Sequence, residues 1–482
     1  MSIDLRPLVP AVIVTLTGMA VLLLQAFAGR GRSAPFAGLS MAGLTAALVS
    51  AVLVARGRGV GVAVGGTYLA DPYALFFHAL ILGIALVAVL LSPGYLRATA
   101  VSGGEYYALL MFCVVGMLGL VSCTELVSLF VALEIMSVSL YAMAGLHRER
   151  PESTEAAMKY FITGAFSSAF LLYGIALLYG VSGSTMLARI SAAVAARATG
   201  EAALLPLLGV GLLLVGFGFK VASVPFHMWA PDVYEGAPTT VTAVMAAGVK
   251  ASAFGALLRV LVQGVPALSS EWRPAVAALA LVTMVIGNLG ALAQTNVKRM
   301  LAYSSVAHAG YLLTALVAAP GQGAEAVLFY LVAYAAVNLG GFGALAALAR
   351  DGKEPLSLSD FAGLSQRRPV LAAAMTLFLI SLTGVPVSGG FVGKFYLFSA
   401  AVNAGYVGLA VVGVLMSVVS AYYYLRVVVA MYMREPVGED SWARIGVLPA
   451  TALAGACAVV LALGVYPGPV LDWARAAVRS LL

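Results

Sequence analysis

Two lysines and a histidine stand inside membrane-like hydrophobic sequence between Phe217 and Lys250, FGFKVASVPFHMWAPDVYEGAPTTVTAVMAAGVK. Lys220 lies 16 residues into the apolar segment that starts at Leu204, and Lys250 lies 11 residues into the one that starts at Thr239. At helical rise these are depths of roughly 24 and 16 Å, well inside a hydrocarbon layer. Pro225, between them, lacks a backbone donor and disfavours helical geometry at Val224, so the first helix is expected to break just after Lys220, with His227 and Trp229 beyond. Non-helical backbone at that depth survives only where it faces protein or water. The chemistry on offer is proton transfer along one wall of a polar path.

Other ionisable groups occupy comparable positions. Glu134 lies ten residues into the span that starts at Thr124, roughly 15 Å deep, where a charge costs about 2.5 to 3.5 kcal/mol even on the mildest insertion scale. Its inert reading is a fixed hydrogen bond between helices. The inert reading of Lys220 or Lys250 is a static ion pair with Glu134, but one carboxylate cannot neutralise two ammonium groups, and Lys394 adds a third. An excess of buried lysines over buried acids implies that some are neutral part of the time, because desolvation disfavours the charged form. A lysine poised to lose its proton is a proton carrier. Lys159, nearer the start of its span, either takes part or snorkels to the interface. His227, just past the break, titrates near neutrality and can pass protons between helix segments, or it is a bonded structural histidine. His308, in AYSSVAHAGYLL beside Ser304 and Ser305, either links Lys250 to Lys394 or simply packs. Arg259 and Arg426 are expected near span ends or in local pairs, and Asp71 and His78 in structural or interfacial roles.

These groups must be positioned by a chain of 482 residues that is 62% hydrophobic and 10% charged, with a mean hydropathy of +1.01. That composition excludes a soluble protein and predicts an all-α polytopic membrane protein. Spans of about 20 residues cross a bilayer, and the length accommodates about fourteen. They are read at 8–28, 36–55, 71–92, 106–122, 124–146, 155–181, 204–231, 239–261, 275–295, 300–319, 324–349, 370–400, 404–432 and 446–467, with an amphipathic connector around Arg189 and Arg197. The first run is too long for the apolar core of a signal peptide. The span at 370–400 contains SLTGVPVSGGFVGKFY, in which Pro386 and Gly389-Gly390 break the helix ahead of Lys394. Broken spans 7 and 12 run in opposite directions, as inverted repeats of spans 4 to 8 and 9 to 13 would require. The resulting divisions are 1–105, 106–261, 262–432 and 433–482: three N-terminal spans, two five-span repeats and a final span.

Loop charge orients the spans. The side of the N-terminus has eight arginines, Arg58 among them, against thirteen arginines and lysines on the other, including Arg30 and Arg32. The positive-inside bias then puts both termini outside the cytoplasm. Cys113, Cys123 and Cys457 make no CxxC and no zinc or iron–sulfur spacing. No GxGxxG follows a strand pattern and no P-loop occurs, so dinucleotide and ATP binding are not expected. No basic cluster interleaved with aromatics points to nucleic acid. A gradient or a partner must supply the drive.

The segments AAMKYFITGAFSSAFLLYGIALLYG, KVASVPFHMWAPDVYEGAPTTVTA, NVKRMLAYSSVAHAGYLL and GVPVSGGFVGKFYLF resemble the subunit N family of bacterial NADH-quinone oxidoreductase, respiratory complex I, over about residues 70 to 430. The resemblance implies a fourteen-helix antiporter-like fold with two inverted five-helix repeats, broken helices 7 and 12, and one proton route in the bacterial inner membrane. It places that family's helix-5 glutamate on Glu134, its lysines of helices 6, 7, 8 and 12 on Lys159, Lys220, Lys250 and Lys394, and the histidine after the break on His227. It further implies that NADH, FMN, iron–sulfur clusters and quinone are held by partner subunits, sister antiporter-like subunits being neighbours. The sister subunits share the fold, but one carries a long lateral C-terminal helix that is not seen here and the other usually has glutamate where Lys394 stands. A subunit of a multi-subunit cation/proton antiporter is the alternative, and a non-catalytic membrane scaffold a third.

Overall fold

Backbone polar groups find no partner in hydrocarbon, so apolar runs of this length close their hydrogen bonds internally, as helices. The computed structural model describes residues 5–27, 34–57, 61–197, 200–436 and 442–482, and Arg30, Arg32 and Arg58 of the charge count lie outside them. Helices α1 (Val9–Phe27), α2 (Ala34–Arg56), α3 (Pro72–Ala98), α4 (Gly103–Ser122), α5 (Leu126–Ala144) and α6 (Pro151–Ser182) precede the short connector α7 (Leu187–Ala195). The first broken span is α8 (Leu204–Val221) with α9 (Trp229–Gly236). Next, α10 (Thr239–Val244) and α11 (Lys250–Arg259) run on through the π-helical turn Met245–Val249, and a second π turn, Val260–Gly264, ends the span. Then come α12 (Ser269–Leu292), α13 (Val297–Leu316), α14 (Gln322–Ala347), the one-turn α15 (Leu364–Arg367), the broken pair α16 (Pro369–Thr383) and α17 (Gly389–Asn403), α18 (Val407–Met433), α19 (Val447–Val465) and α20 (Gly468–Arg479).

Among the described residues, twelve helices are long and apolar enough to cross a membrane. The expected spans at 300–319 and 370–400 are helical but not among the twelve. The first, α13, carries Lys298, Arg299 and His308, and the second is divided into two short pieces by its break. An antiparallel hairpin, β1 (Gly61–Ala63) with β2 (Tyr68–Ala70), departs from the all-helical expectation. The amphipathic α20, unforeseen as an element, buries Leu471, Ala474 and Val478 against α3 and α14.

Burial identifies the axis of the molecule. The apolar window of Thr239–Gly264 is 100% buried and that of Gln322–Ala347 is 94% buried, whereas those of α2, α12 and α18 stand between 28% and 39%. The span that carries Lys250 is therefore enclosed by protein, and the outer helices face lipid or partners.

Both breaks have local causes. α8 stops at Val221, one residue after Lys220, where Ala222 turns left-handed at φ +59° ahead of Pro225. α16 stops at Thr383, where Gly384 turns left-handed at φ +91°, and α17 restarts with Ser388 accepting from the Phe391 amide. The two halves of the second break cross closely: a Cβ on Gly390 would stand 1.9 Å from the Ser381 carbonyl oxygen. Only glycine fits there.

One local construction is used twice. Ahead of α5, Thr124 and Leu126 bond to the segment after α6 (Leu126 amide to Thr185 carbonyl, 2.9 Å; Leu187 amide to Thr124 carbonyl, 3.0 Å). Ahead of α13, Thr295 and Val297 bond likewise to the segment after α14 (Val297 amide to Leu356 carbonyl, 2.7 Å; Leu358 amide to Thr295 carbonyl, 3.0 Å). A polar side chain caps the helix in each case, Glu125 in one and Asn296 in the other.

A fully buried ion pair holds α11 to the start of α3. Arg259 donates to both carboxylate oxygens of Asp71 at 2.9 and 2.8 Å and to the Val121 carbonyl at 3.1 Å, with its guanidinium 4.9 Å from the Tyr73 ring centre. Asp71 also accepts from the Ala74 amide at 2.7 Å, capping α3. Removing one partner strands a buried charge, which costs about 3–5 kcal/mol. Asp71→Asn should therefore lower the amount of chain retained in membranes and its unfolding temperature in detergent, with Asp71→Leu/Arg259→Met recovering much of the loss. An Asp71→Asn chain as stable as the parent would show that the pair contributes nothing.

Candidate functional site

Lys220 ends α8 inside the molecule, 3% exposed. Its ammonium donates to Ser137 Oγ of α5 at 2.7 Å and lies 5.4 to 5.6 Å from the ring centres of Phe219, Tyr141 and Tyr160. Ser137 in turn donates to the Leu133 carbonyl at 2.5 Å. Glu134, one turn earlier on α5, is half-buried and accepts from Ser168 Oγ of α6 at 2.5 Å. It makes no ion pair among the described residues, so the static Glu134–Lys220 pair is not what holds Lys220. Glu134 and the Lys220 ammonium meet on the same helix, α5, whose Ser137, three residues after Glu134, takes the Lys220 hydrogen bond.

Lys250 follows directly on the π turn Met245–Val249 and is 1% exposed. π turns insert a residue into the helix, which re-aims the side chains beyond them. Its Nζ donates to Ser305 Oγ at 2.6 Å and to the Ser305 carbonyl, and lies 5.5 Å from the Tyr334 ring centre. Tyr334 also donates to Ser305 Oγ, at 2.9 Å. The neighbouring Ser304 shares a hydrogen bond with Tyr424 of α18, whose hydroxyl stands 3.2 Å from His308 Nε2, while His308 Nδ1 is bonded to Tyr330. The His308 ring also lies 5.1 Å from that of Tyr311, the ring over which the Lys394 ammonium sits, so His308 is bonded to hydroxyls on the Lys250 side and packed against the aromatic beside Lys394.

Lys394, 5% exposed, folds back on the second break. It donates to the Thr383 carbonyl at 3.0 Å, one of those left free where α16 stops, and to Ser417 Oγ of α18 at 3.1 Å, with the Tyr311 ring centre 4.8 Å away. A cavity of about 630 Å³ lined by Lys394, Thr383, Gly384 and Ser417 opens between α17 and α18.

The other two residues singled out in the sequence lie apart from this set. His227 is half-buried in the loop after α8, and among the described residues no hydrogen bond joins it to Lys220 or Lys250. Lys159 is at the surface, paired to Glu155 at 2.6 Å and to Asp232 at 2.7 Å; Asp232 also pairs with Arg299 at 2.7 Å. Nor does a hydrogen bond among the described residues join Lys220 to Lys250.

Sequence reasoning missed a second buried charge cluster. Glu354, in the loop after α14, accepts from Tyr95 and Thr239 Oγ1, each at 2.6 Å, and pairs with Arg150 at 3.2 Å and with the fully buried Lys298 at 3.5 Å. Burial pushes its carboxyl up, but Lys298, the two hydroxyls and Arg150 outweigh that and hold it at about 2. A folded value below the ordinary one means that the pairing stabilises the chain at neutral pH, and this contribution falls away progressively as pH drops from 4.5 to about 2. Arg150 and Lys298 are two of the thirteen cations counted in loops on the side away from the N-terminus; the signal available was Lys298 at the start of a helix with no adjacent acid.

Residues 123–420 match the family described as NADH:quinone oxidoreductase/Mrp antiporter, TM. The chain is 44% identical over 481 residues to NADH-quinone oxidoreductase subunit N of Trichlorobacter lovleyi, covering 100% of this chain and 98% of that one. It is 45% identical to subunit N of Chloroflexus aggregans, covering 97% and 96%. Among solved structures it is similar to a chain of respiratory complex I from Thermus thermophilus with bound aureothin, at 38% identity and a TM-score of 0.81, covering 96% and 98%. A chain of the Mrp complex from Dietzia sp., at 22% identity, TM-score 0.86 and coverage of 99% and 98%, shares the fold.

Ser137 is the sole hydrogen-bond partner of the Lys220 ammonium among the described residues. Ser137→Ala should destabilise the folded chain by about 1–3 kcal/mol, and Lys220→Met added to it should restore most of that, since an apolar pair leaves nothing unsatisfied. Unfolding temperatures in detergent check this; no effect of Ser137→Ala would mean that Lys220 is satisfied by water instead.

Proposed function

The chain belongs to the subunit N family of NADH-quinone oxidoreductase, within the wider NADH:quinone oxidoreductase/Mrp antiporter family, and on that premise we propose that Lys220, Lys250 and Lys394 carry protons through it. It is a multi-pass membrane protein and a proton-translocating subunit of the complex I enzyme, assembled with other subunits of that complex. The observation that carries the residue assignment is that these three lysines, unlike the buried Lys298, are held by hydroxyls and carbonyls, with no carboxylate in ion-pair range among the described residues. A carboxylate would fix the proton. Neutral acceptors leave each amine able to hold it or release it.

In this reading Glu134 is the modulating charge. It reaches Lys220 through space rather than by contact, so a shift of the carboxylate, or of a partner's charge beside its half-exposed face, changes how strongly the ammonium is held. The proton then passes towards Lys250 and, by way of Ser305, Ser304, Tyr424 and His308, to the Lys394 side. His227 and Lys159 serve at the margins, His227 at the first break and Lys159 in the surface network with Asp232. NADH, FMN, iron–sulfur clusters and quinone belong to partner subunits, which supply the redox energy. Segments 106–261 and 262–432 are read as two inverted repeats, supported by the bridge built twice before α5 and α13, and both termini are assigned to the periplasmic side.

Two variants test the assignment in vesicles of the assembled complex. Lys220→Ala should leave assembly intact and reduce protons pumped per NADH oxidised at least several-fold; normal pumping at normal turnover would remove Lys220 from the path. At Lys394, arginine keeps the charge but cannot be deprotonated in a protein. A carrier should fail as arginine almost as badly as it does as alanine, whereas a fixed charge should tolerate arginine, so full pumping by Lys394→Arg would refute the carrier role.

A further inference from the structure

Two cavities that share Arg350, Ala443 and Arg444 open at one end of the molecule, where α3 and α14 end and α19 begins. Their volumes are about 470 and 440 Å³. Four arginines line them, Arg97, Arg350, Arg368 and Arg444, together with Trp442. Asp351 is the acid among the described lining residues, and its pairing with Arg350 at 3.3 Å is exposed on both sides, where such a pair contributes little. The bond of Arg97 is to the Pro93 carbonyl of its own helix at 3.2 Å, and Arg444 makes no hydrogen bond or ion pair among the described residues. Below the arginines the wall turns apolar: Leu91, Ala346, Val447, Leu448 and Pro449, of which Val447 is 79% exposed.

A cationic rim above an apolar wall at the ends of membrane helices has the polarity of one kind of ligand. We propose that this cleft binds an anionic phospholipid, its phosphate held by Arg97, Arg350 and Arg444 and an acyl chain lying on Val447 and Leu448. Guanidinium groups take phosphate oxygens in pairs, and basic pockets between membrane helices suit anionic headgroups. Trp442 lines the second cavity five residues ahead of α19, and indoles favour the headgroup layer at the ends of membrane helices. The cleft lies on the face opposite the termini, the cytoplasmic one in the orientation assigned above, where the leaflet carries negative charge. A bound lipid would brace α3, α14 and α19, two of which border the buried axis.

The test uses the assembled complex, stripped of lipid in neutral detergent and titrated with dioleoylphosphatidylglycerol or dioleoylphosphatidylcholine, with retained lipid counted by native mass spectrometry. Each arginine near a headgroup contributes about five-fold in affinity. Arg444→Gln, at an exposed and unpartnered residue, should weaken retention of one phosphatidylglycerol about five-fold, and Arg97→Gln/Arg350→Gln/Arg444→Gln about a hundred-fold, with phosphatidylcholine unaffected. Arg189→Gln/Arg197→Gln/Arg479→Gln removes the same charge from exposed sites elsewhere and should change neither. Equal retention by parent and Arg444→Gln overturns the proposal, as does equal loss in the control. Inorganic phosphate that binds as tightly as the lipid and displaces it would mark a soluble-anion site and overturn it too.

Discussion

An ammonium group inside a membrane protein needs hydrogen-bond acceptors, and their charge decides what the group can do. A carboxylate partner repays desolvation by Coulomb attraction and locks the proton in place. A hydroxyl or carbonyl satisfies the donor geometry and returns far less. Lys220 on Ser137, Lys250 on Ser305 and Lys394 on Thr383 and Ser417 all take the second arrangement. The aromatic rings around them, Tyr141 and Tyr160, Tyr334, and Tyr311, give each cation a face to lie on without supplying a full negative charge.

The rest of the architecture follows from making those acceptors available. A continuous helix uses its carbonyls internally, so a free carbonyl in mid-membrane requires a break, and the break needs residues that turn left-handed or lack a side chain. Gly384 and Gly390 provide both around Lys394. At Lys250 the helix does not break but passes through a π turn, and the acceptor comes from α13 instead. Different local devices produce the same chemical environment.

The breaks, twelve of the fourteen span positions and the burial of the three lysines were readable in the sequence because each rests on a local rule: hydropathy over about 20 residues, proline geometry and the rarity of charge in apolar runs. The partners were not. Ser137, Ser305 and Ser417 are ordinary serines in helices, and nothing in their local sequence tells which of the chain's serines faces a lysine. Arg259 read as a span-end residue because its partner Asp71 is 188 positions away and stands before a different helix. The burial of Lys298 was hidden for the same reason: Glu354 reaches it from a loop 56 residues on. The reading of Lys159 as either relay or snorkel left two outcomes open in sequence; its side chain is 43% exposed and paired with Asp232.

The central span Thr239–Gly264 shows how fixed and mobile charge are kept apart. At its beginning Thr239 donates to Glu354, which is bound to Arg150 and Lys298. At its end Arg259 is locked to Asp71 through two hydrogen bonds. Both ends of the helix are thus anchored by carboxylates paired with cations. Lys250, between them, is the ammonium on this span without a carboxylate. On the proposed carrier role, anchored ends would hold the helix in place when Lys250 changes charge, and the hydroxyls of Ser305 and Tyr334, which already meet at its ammonium, would reorient instead. In a fully buried segment that is the cheaper response, because rotating a hydroxyl disturbs no packing.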